Sequence, residues 1–254
     1  MNETSPETPG RIHRAIDTKA FEHPPMRKYR AAAFQAYVLI ASVVFVALAV
    51  GAHYVPYFRI DLLITRAFQS YQGEAFDALM RGMSWVGFVP QVDLLIVLMI
   101  AILFLLGLRW EAVAAMFAAL GPVIGSLIKL IVARPRPSAD VVHVLRRLDT
   151  LSFPSGHVLL ATAFYGFIAF LIYALLKPGL LRTILLVIFG LFIALMGPSR
   201  IYLGQHWFSD VMGAYVLGSL WLALSVRVYR WGKSRFFRSQ PVAAEAPIES
   251  AGRL

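Results

Sequence analysis

The chain of 254 residues has no cysteine, and only 15% of its residues carry charge. Without cysteine there is no disulfide framework, no thiolate metal site and no cysteine nucleophile. A charge fraction this low, beside 59% hydrophobic residues, excludes an ordinary soluble domain, where about a quarter of residues are charged and under half are apolar. Acidic residues are the scarcer sign: 14 Asp and Glu stand against 24 Lys and Arg, a formal net charge of +10. Nucleic-acid binders are also basic but lack this hydropathy. The balance argues for membrane-spanning segments flanked by cationic anchors, with no nucleic-acid partner.

What is present is a series of long apolar runs. Residues 1–33 are polar, with four prolines and the cations Arg11, Arg14, Lys19, Arg27, Lys28 and Arg30, and read as a solvated, disordered arm. From Phe34 to Tyr54 roughly twenty residues pass without Asp, Glu, Lys or Arg, the length a helix needs to cross hydrocarbon. The small-x-small pattern Ala47-Leu48-Ala49 offers a signal-peptide alternative, but the polar stretch before it is far longer than a usual n-region. Further runs follow at 88–108, 111–133, 156–176, 180–198 and 208–228, making six spans. Between Val55 and Gly87, Ile60, Leu63, Ile64, Ala67, Phe68 and Tyr71 are spaced for one helical face, with Asp61, Arg66 and Gln69 on the other. That pattern predicts an amphipathic helix lying at the interface. The expected fold is therefore all-α: a polytopic membrane protein with six transmembrane helices and one interfacial helix in a domain at 34–230. Residues 231–254 form a polar tail. Six spans put both tails on one side, and that side holds fifteen of the Lys and Arg against nine opposite. The excess places the tails in the cytoplasm and the opposite face outside.

Three clusters fall at membrane edges on that outer side. In Lys129-Leu130-Ile131-Val132-Ala133-Arg134-Pro135-Arg136-Pro137, a lysine lies about one turn inside an apolar helix, and the prolines end the helix, so Lys129 and Arg136 can converge from helix and loop. An ammonium there must be paired or face a polar cavity, unless both cations snorkel to headgroups. In Pro154-Ser155-Gly156-His157, Ser155 stands at a helix N-cap, and Gly156 leaves free backbone N–H groups able to hold a phosphate oxygen. His157 beside them titrates near neutrality and can hand a proton to a leaving group; alone, the segment also reads as a plain helix cap. In the third cluster, from Ser199 to Asp210, Arg200 supplies a planar fork for phosphate. His206 and Asp210, four apart, share a helical face, so the carboxylate can fix one imidazole nitrogen and leave the other free to attack. A capping Asp beside an interfacial His is the alternative for that pair alone.

The three clusters in order, Lys-x6-Arg-Pro, Pro-Ser-Gly-His and Ser-Arg-x5-His-x3-Asp, resemble the three-part phosphatase signature of the type 2 phosphatidic acid phosphatase superfamily, with every signature position filled. The resemblance covers roughly residues 88–230. It implies an integral-membrane lipid phosphatase in which His206 attacks phosphorus to form a phosphohistidine, Asp210 orients it, and His157 protonates the departing lipid oxygen. Lys129, Arg136 and Arg200, with Ser155 and the Gly156 amide, would bind the phosphate oxygens, and water would release inorganic phosphate. It implies no cofactor and no metal. The substrate would be a lipid phosphate reached from the membrane: an isoprenyl diphosphate such as undecaprenyl diphosphate, phosphatidic acid, phosphatidylglycerol phosphate or a lipid A phosphate. The setting implied is a bacterial inner membrane with the site facing outside. A lipid phosphotransferase of the same superfamily would use the same residues. A transporter would leave the ordered motifs unexplained, and the vanadium haloperoxidases, which share the signature, are soluble. The sequence does not give the oligomeric state.

Overall fold

The computed structural model describes residues 24–71 and 73–236, and every regular element among them is helical. In chain order these are α1 (Pro24–Tyr54), α2 (Arg59–Gln69), α3 (Glu74–Val86), α4 (Gln91–Leu105), α5 (Arg109–Ala119), α6 (Gly121–Val132), α7 (Gly156–Leu175), α8 (Leu180–Tyr202) and α9 (Phe208–Phe236). Five helical stretches are long and apolar enough to cross a membrane: α1, the stretch Arg109–Val132 formed by α5 and α6, α7, α8 and α9. The sixth expected span is a bent pair. α4 has 15 residues, about 22 Å of helix against roughly 30 Å of hydrocarbon, and it reaches span length only together with α3, across a 62° bend. Pro90 sits at that break, where it cannot donate a backbone hydrogen bond.

Besides α9, which runs to Phe236, six residues into the stretch read as a polar tail, two readings differ. α1 begins at Pro24, so helix extends ten residues into the stretch read as a polar arm; proline is well placed in a first helical turn, where its missing N–H has no partner to lose. The rest of the arm lies outside the described residues, as do residues 237–254 of the tail. The second difference is the interfacial helix. The segment holds two helices, α2 and α3, and the faces of α2 are mixed: Asp61 and Thr65 are fully buried and Ile60 and Leu63 about half exposed, while Arg66 is exposed as expected. Ile64 and Phe68 still pack on the core, but the face expected to meet solvent carries the buried carboxylate. The periodicity was real; the partners of Asp61, described below, decide which side is inside.

α7 is the central helix. Val158, Leu159, Phe164 and Phe167 on it have no exposed surface and pack in one cluster with Ala115 and Ala118 of α5, Met196 of α8 and Val211 and Ala214 of α9. Between membrane helices such side chains leave lipid rather than water, so they stabilise by close packing and not by hydrophobic transfer. Residues 161–165 of α7 are wound as a π-helix, a form that turns the following helical face relative to the preceding one. Outward-facing residues such as Leu39, Ile40 and Val43 of α1, Leu130 and Ile131 of α6 and Leu180 and Leu181 of α8 are apolar, as lipid contact requires.

The alternating course brings the end of α6, the start of α7, the end of α8 and the start of α9 together. α6 stops at Ala133, whose left-handed φ of 53° and N–H bond to the Lys129 carbonyl at 2.8 Å close the helix, and Pro135 and Pro137 prevent it from resuming. α8 carries Pro198 inside it, two residues before Arg200. The Tyr215 hydroxyl of α9 repairs the interruption: it accepts from the Gly197 N–H at 3.1 Å and donates to the Ile193 carbonyl at 2.8 Å.

Candidate active site

The first tier is a buried ionic frame beneath the clusters read from sequence. Arg134 has no exposed surface. Its Nη1 donates to Asp210 Oδ1 at 2.6 Å and to Ser209 Oγ at 2.7 Å, its Nη2 to Asp61 Oδ2 at 2.8 Å, and its Nε to the Pro56 carbonyl at 3.1 Å. Asp61 also accepts from the Ser209 N–H at 2.7 Å and the Phe58 N–H at 2.9 Å. Two buried carboxylates thus share one guanidinium, with hydrogen bonds taking up the remaining lone pairs, the condition under which buried charge is tolerated. The other oxygen of Asp210 accepts from Ser152 Oγ at 2.5 Å and the Trp207 N–H at 2.9 Å.

His206 lies on this frame. Its Nδ1 is 3.6 Å from Asp210 Oδ2 and 3.5 Å from Ser152 Oγ. The carboxylate is on the expected side of the ring, yet its shortest bonds go to Arg134, Ser152 and Trp207, so contact with the imidazole is loose. The opposite nitrogen is not free, as the four-residue spacing suggested: Nε2 accepts from Arg136 Nη1 at 3.0 Å. Arg136 is held by Thr150, through its carbonyl at 2.7 Å and its hydroxyl at 2.8 Å, and by the Gln205 carbonyl at 2.5 Å. Burial first, then the positive charges of Arg136 and Lys129, hold the His206 pKa well below the usual 6.5, so the ring is neutral and its Nε2 lone pair is taken up by the Arg136 guanidinium.

The remaining residues converge on the same place. Lys129 Nζ donates to the carbonyls of Leu151 and Ser152 at 2.8 and 3.1 Å, which answers the question of snorkelling: the ammonium turns inward onto the loop that carries Ser152 and the start of α7. Ser155 stands at the N-cap of α7, but its hydroxyl makes no cap bond and has no hydrogen-bond partner. A side chain at Gly156 would meet nothing within 4 Å, so the space before the first turn is open. Arg200 is fully buried and donates from Nη1 to Ser84 Oγ, while its Nε and Nη2 have no partner. The His157 and Phe88 rings pack at 78° with centroids 4.9 Å apart, and His157 Nε2 is unpartnered, while the charges of Arg200, Arg136 and Lys129 all act on the imidazole. The Gln205 side-chain oxygen is likewise unpartnered. Gly204, at φ 64°, brings its backbone so close to the His143 carbonyl that an added Cβ would lie 2.1 Å from that oxygen; only glycine fits this turn into His206.

A family model described as the PAP2 superfamily matches residues 110–234, which contain all three clusters. The chain belongs to the PAP2 superfamily. Among curated proteins this PAP2 chain is similar to phosphatidylglycerophosphatase B of Bacillus subtilis, 29% identical over 179 residues that make up 69% of this chain and 86% of that one. Among solved structures it is similar to the transmembrane PAP2-type phosphatidylglycerolphosphate phosphatase from Bacillus subtilis, at a TM-score of 0.67 and 26% identity, over 79% of this chain and 98% of the other. It also shares its fold with Aquifex aeolicus LpxE, at a TM-score of 0.54 and 20% identity over 67% and 96% of the two chains.

The structure brings together every residue singled out in sequence: Lys129, Arg136, Ser155, Gly156, His157, Arg200, His206 and Asp210. Those missed are Asp61, Ser84, Phe88, Arg134, Thr150 and Ser152. Arg134 stands between motif positions, where the prolines drew attention to Arg136. Asp61, Ser84 and Phe88 lie outside the matched residues 110–234, and only an acid set among apolar neighbours hinted at Asp61. Among the described residues no group of three or more His, Cys, Asp or Glu is arranged to hold a metal ion.

Proposed function

We propose that this PAP2 enzyme is a membrane phosphatase that hydrolyses the phosphate of a lipid through a phosphohistidine at His206. One observation carries the reading: buried polar atoms of the second and third motifs, Ser155 Oγ, His157 Nε2, Arg200 Nε and Nη2 and Gln205 Oε1, have no hydrogen-bond partner. Leaving such groups unpaired costs about 1–3 kcal/mol each, more for charged ones. All but the last, the donor His157 included, are groups that a phosphate oxygen can satisfy.

The steps follow from the residues. The dianion enters over the start of α7, where Arg200 and the Gly156 N–H bind its oxygens, and it draws the Arg136 guanidinium from His206 Nε2 onto phosphate. The freed Nε2 lone pair attacks phosphorus in line with the lipid oxygen. A P–N bond forms, the P–O bond breaks, and His157 gives its proton to the departing oxygen. Asp210 and Ser152 receive the Nδ1 hydrogen, which stabilises the ring as it gains positive charge. Water, deprotonated by His157, then attacks phosphorus, the P–N bond breaks and inorganic phosphate leaves. Lys129, Arg136 and Arg200 supply the charge stabilisation, so the reaction runs without a metal.

We place the tails in the cytoplasm and the site at the outer face of a bacterial inner membrane, on the cation distribution. The lipid nature of the substrate rests on a site formed at span ends within an apolar belt and on the names of the similar enzymes. The test is phosphate release by purified protein in EDTA from isoprenyl diphosphate, phosphatidic acid, phosphatidylglycerol phosphate and lipid A, beside His206→Ala. Release that is lost in the variant, with an acid-labile, base-stable phosphoenzyme in the wild type, supports the reading. A phosphoenzyme that yields a newly phosphorylated lipid and no free phosphate replaces hydrolysis by phosphotransfer.

A further inference from the structure

Arg146 lies outside every motif, and the mechanism above does not use it. Its guanidinium carbon is 4.7 Å from the centroid of the Phe88 ring, and that of Arg200 is 5.1 Å from the same centroid. The same ring packs at 78° to the His157 imidazole. One aromatic side chain therefore joins a phosphate-binding arginine, the proton donor to the leaving group and a further cation. The position is fixed by the backbone: the neighbouring Leu145 N–H donates to the Leu203 carbonyl at 3.2 Å, at the end of α8. Two residues further back the loop is clamped by Gln69, whose amide donates to the His143 carbonyl at 2.6 Å and accepts from its N–H at 3.1 Å.

Arg146 is exposed and has no carboxylate partner among the described residues, and its charge opposes that of Arg200. Two like charges held against one ring repel, unless an anion lies near both. The reacting phosphate already has Lys129, Arg136 and Arg200. His157 is read as the proton donor to the departing oxygen, and Arg146 stacks on the same Phe88 ring that contacts His157.

We propose that Arg146 binds a second phosphate carried by the leaving group, and so selects lipids with two phosphates over lipids with one. This rests on the phosphatase reading above. An isoprenyl diphosphate leaves as a prenyl phosphate, and phosphatidylglycerol phosphate leaves as a phosphodiester lipid; both keep an anion for Arg146. Phosphatidic acid leaves as a neutral diacylglycerol and offers none. An arginine fork suits either phosphate, and stacking on Phe88 limits the freedom lost when it binds.

The experiment compares kcat/KM of the wild type, Arg146→Gln and Arg146→Lys on isoprenyl diphosphate, phosphatidylglycerol phosphate and phosphatidic acid in matched mixed micelles. Because Arg146 is exposed, the variants retain the fold, checked by thermal unfolding. The expected result is a tenfold or greater fall, in Arg146→Gln, of the preference for at least one two-phosphate lipid over phosphatidic acid, with partial recovery in Arg146→Lys. Which lipid loses its advantage identifies whether a diphosphate or a distant phosphodiester is read. Equal losses on all three lipids, or no loss on either two-phosphate lipid, overturn the proposal while leaving a phosphatase. Wild-type protein that releases phosphate from none of them overturns the phosphatase reading, and this proposal with it.

Discussion

Arg134 donates to Asp210 at 2.6 Å with neither side chain exposed. The carboxylate that the motif spacing assigns to His206 is thus first of all half of a buried ion pair, and the other half is tied to Asp61 on a different helix. The strength of the pair lies in its geometry, which fixes where Asp210 Oδ2 points, and with it the side of the imidazole that can carry a proton.

Removing the guanidinium leaves two carboxylates buried without a counter-charge. Arg134→Met is expected to lose about 3–5 kcal/mol of stability, read as a lower midpoint of thermal unfolding in detergent. Pairing it with Asp61→Asn should recover part of the loss, because one stranded charge is removed. A midpoint equal to wild type would show that the frame carries no weight in folding.

Asp210→Asn keeps the size of the side chain but removes the charge that favours the imidazolium-like ring of the phosphoenzyme. The rate should fall by roughly 10²–10⁴, in steady-state phosphate release at saturating lipid. Wild-type turnover in this variant would take Asp210 out of the mechanism.

His206 is neutral because burial and the adjacent cations hold its pKa well below 6.5. The unfolded chain therefore takes up this proton first. The resulting stabilisation is complete above pH 6.5 and is lost as pH falls toward the folded pKa. The acid limb of kcat/KM should lie below pH 6.5 in the wild type. In Arg136→Gln, with one positive neighbour gone, that limb should move up toward 6.5 while the amplitude drops. A limb displaced in the acid direction would contradict the assignment of the charge effect.

The role of His157 depends on how much the leaving group needs a proton. His157→Ala should cut turnover of an alkyl lipid phosphate by about 10²–10⁴ and affect an activated aryl phosphate far less. Kinetics on the two substrate types side by side decide it; equal loss on both would mean that His157 binds phosphate and gives no proton.

Much of the helical order was legible because hydrocarbon imposes it: the runs at 156–176, 180–198 and 208–228 correspond closely to α7, α8 and α9. The run at 88–108 did not form one straight span, because the break before Gln91 bends α4 against α3 and apolar composition carries no record of direction. Within the site, Lys129, Arg136, Arg200 and His206 could be named from spacing, since motif order fixes which helix ends meet. Asp61, Phe88 and Arg134 could not. Their contacts join distant parts of the chain, Asp61 to Ser209 and Phe88 to His157, and no local period marks such pairs. Spacing also misjudged the two bonds of His206: a four-residue interval puts Asp210 on the same face, but Ser152 and Arg134 compete for its oxygens.

The burial of Asp61 has a meaning in terms of solvent. α2 sets Asp61 and Thr65 inward, Ile64 and Phe68 against the core, and Ile60 and Leu63 outward beside the exposed Arg59 and Arg66. An outer face that mixes aliphatic side chains with arginines suits the boundary between hydrocarbon and water. The inner face of the same helix holds Arg134 through Asp61, so one short helix meets that boundary on one side and carries a member of the buried ionic frame on the other.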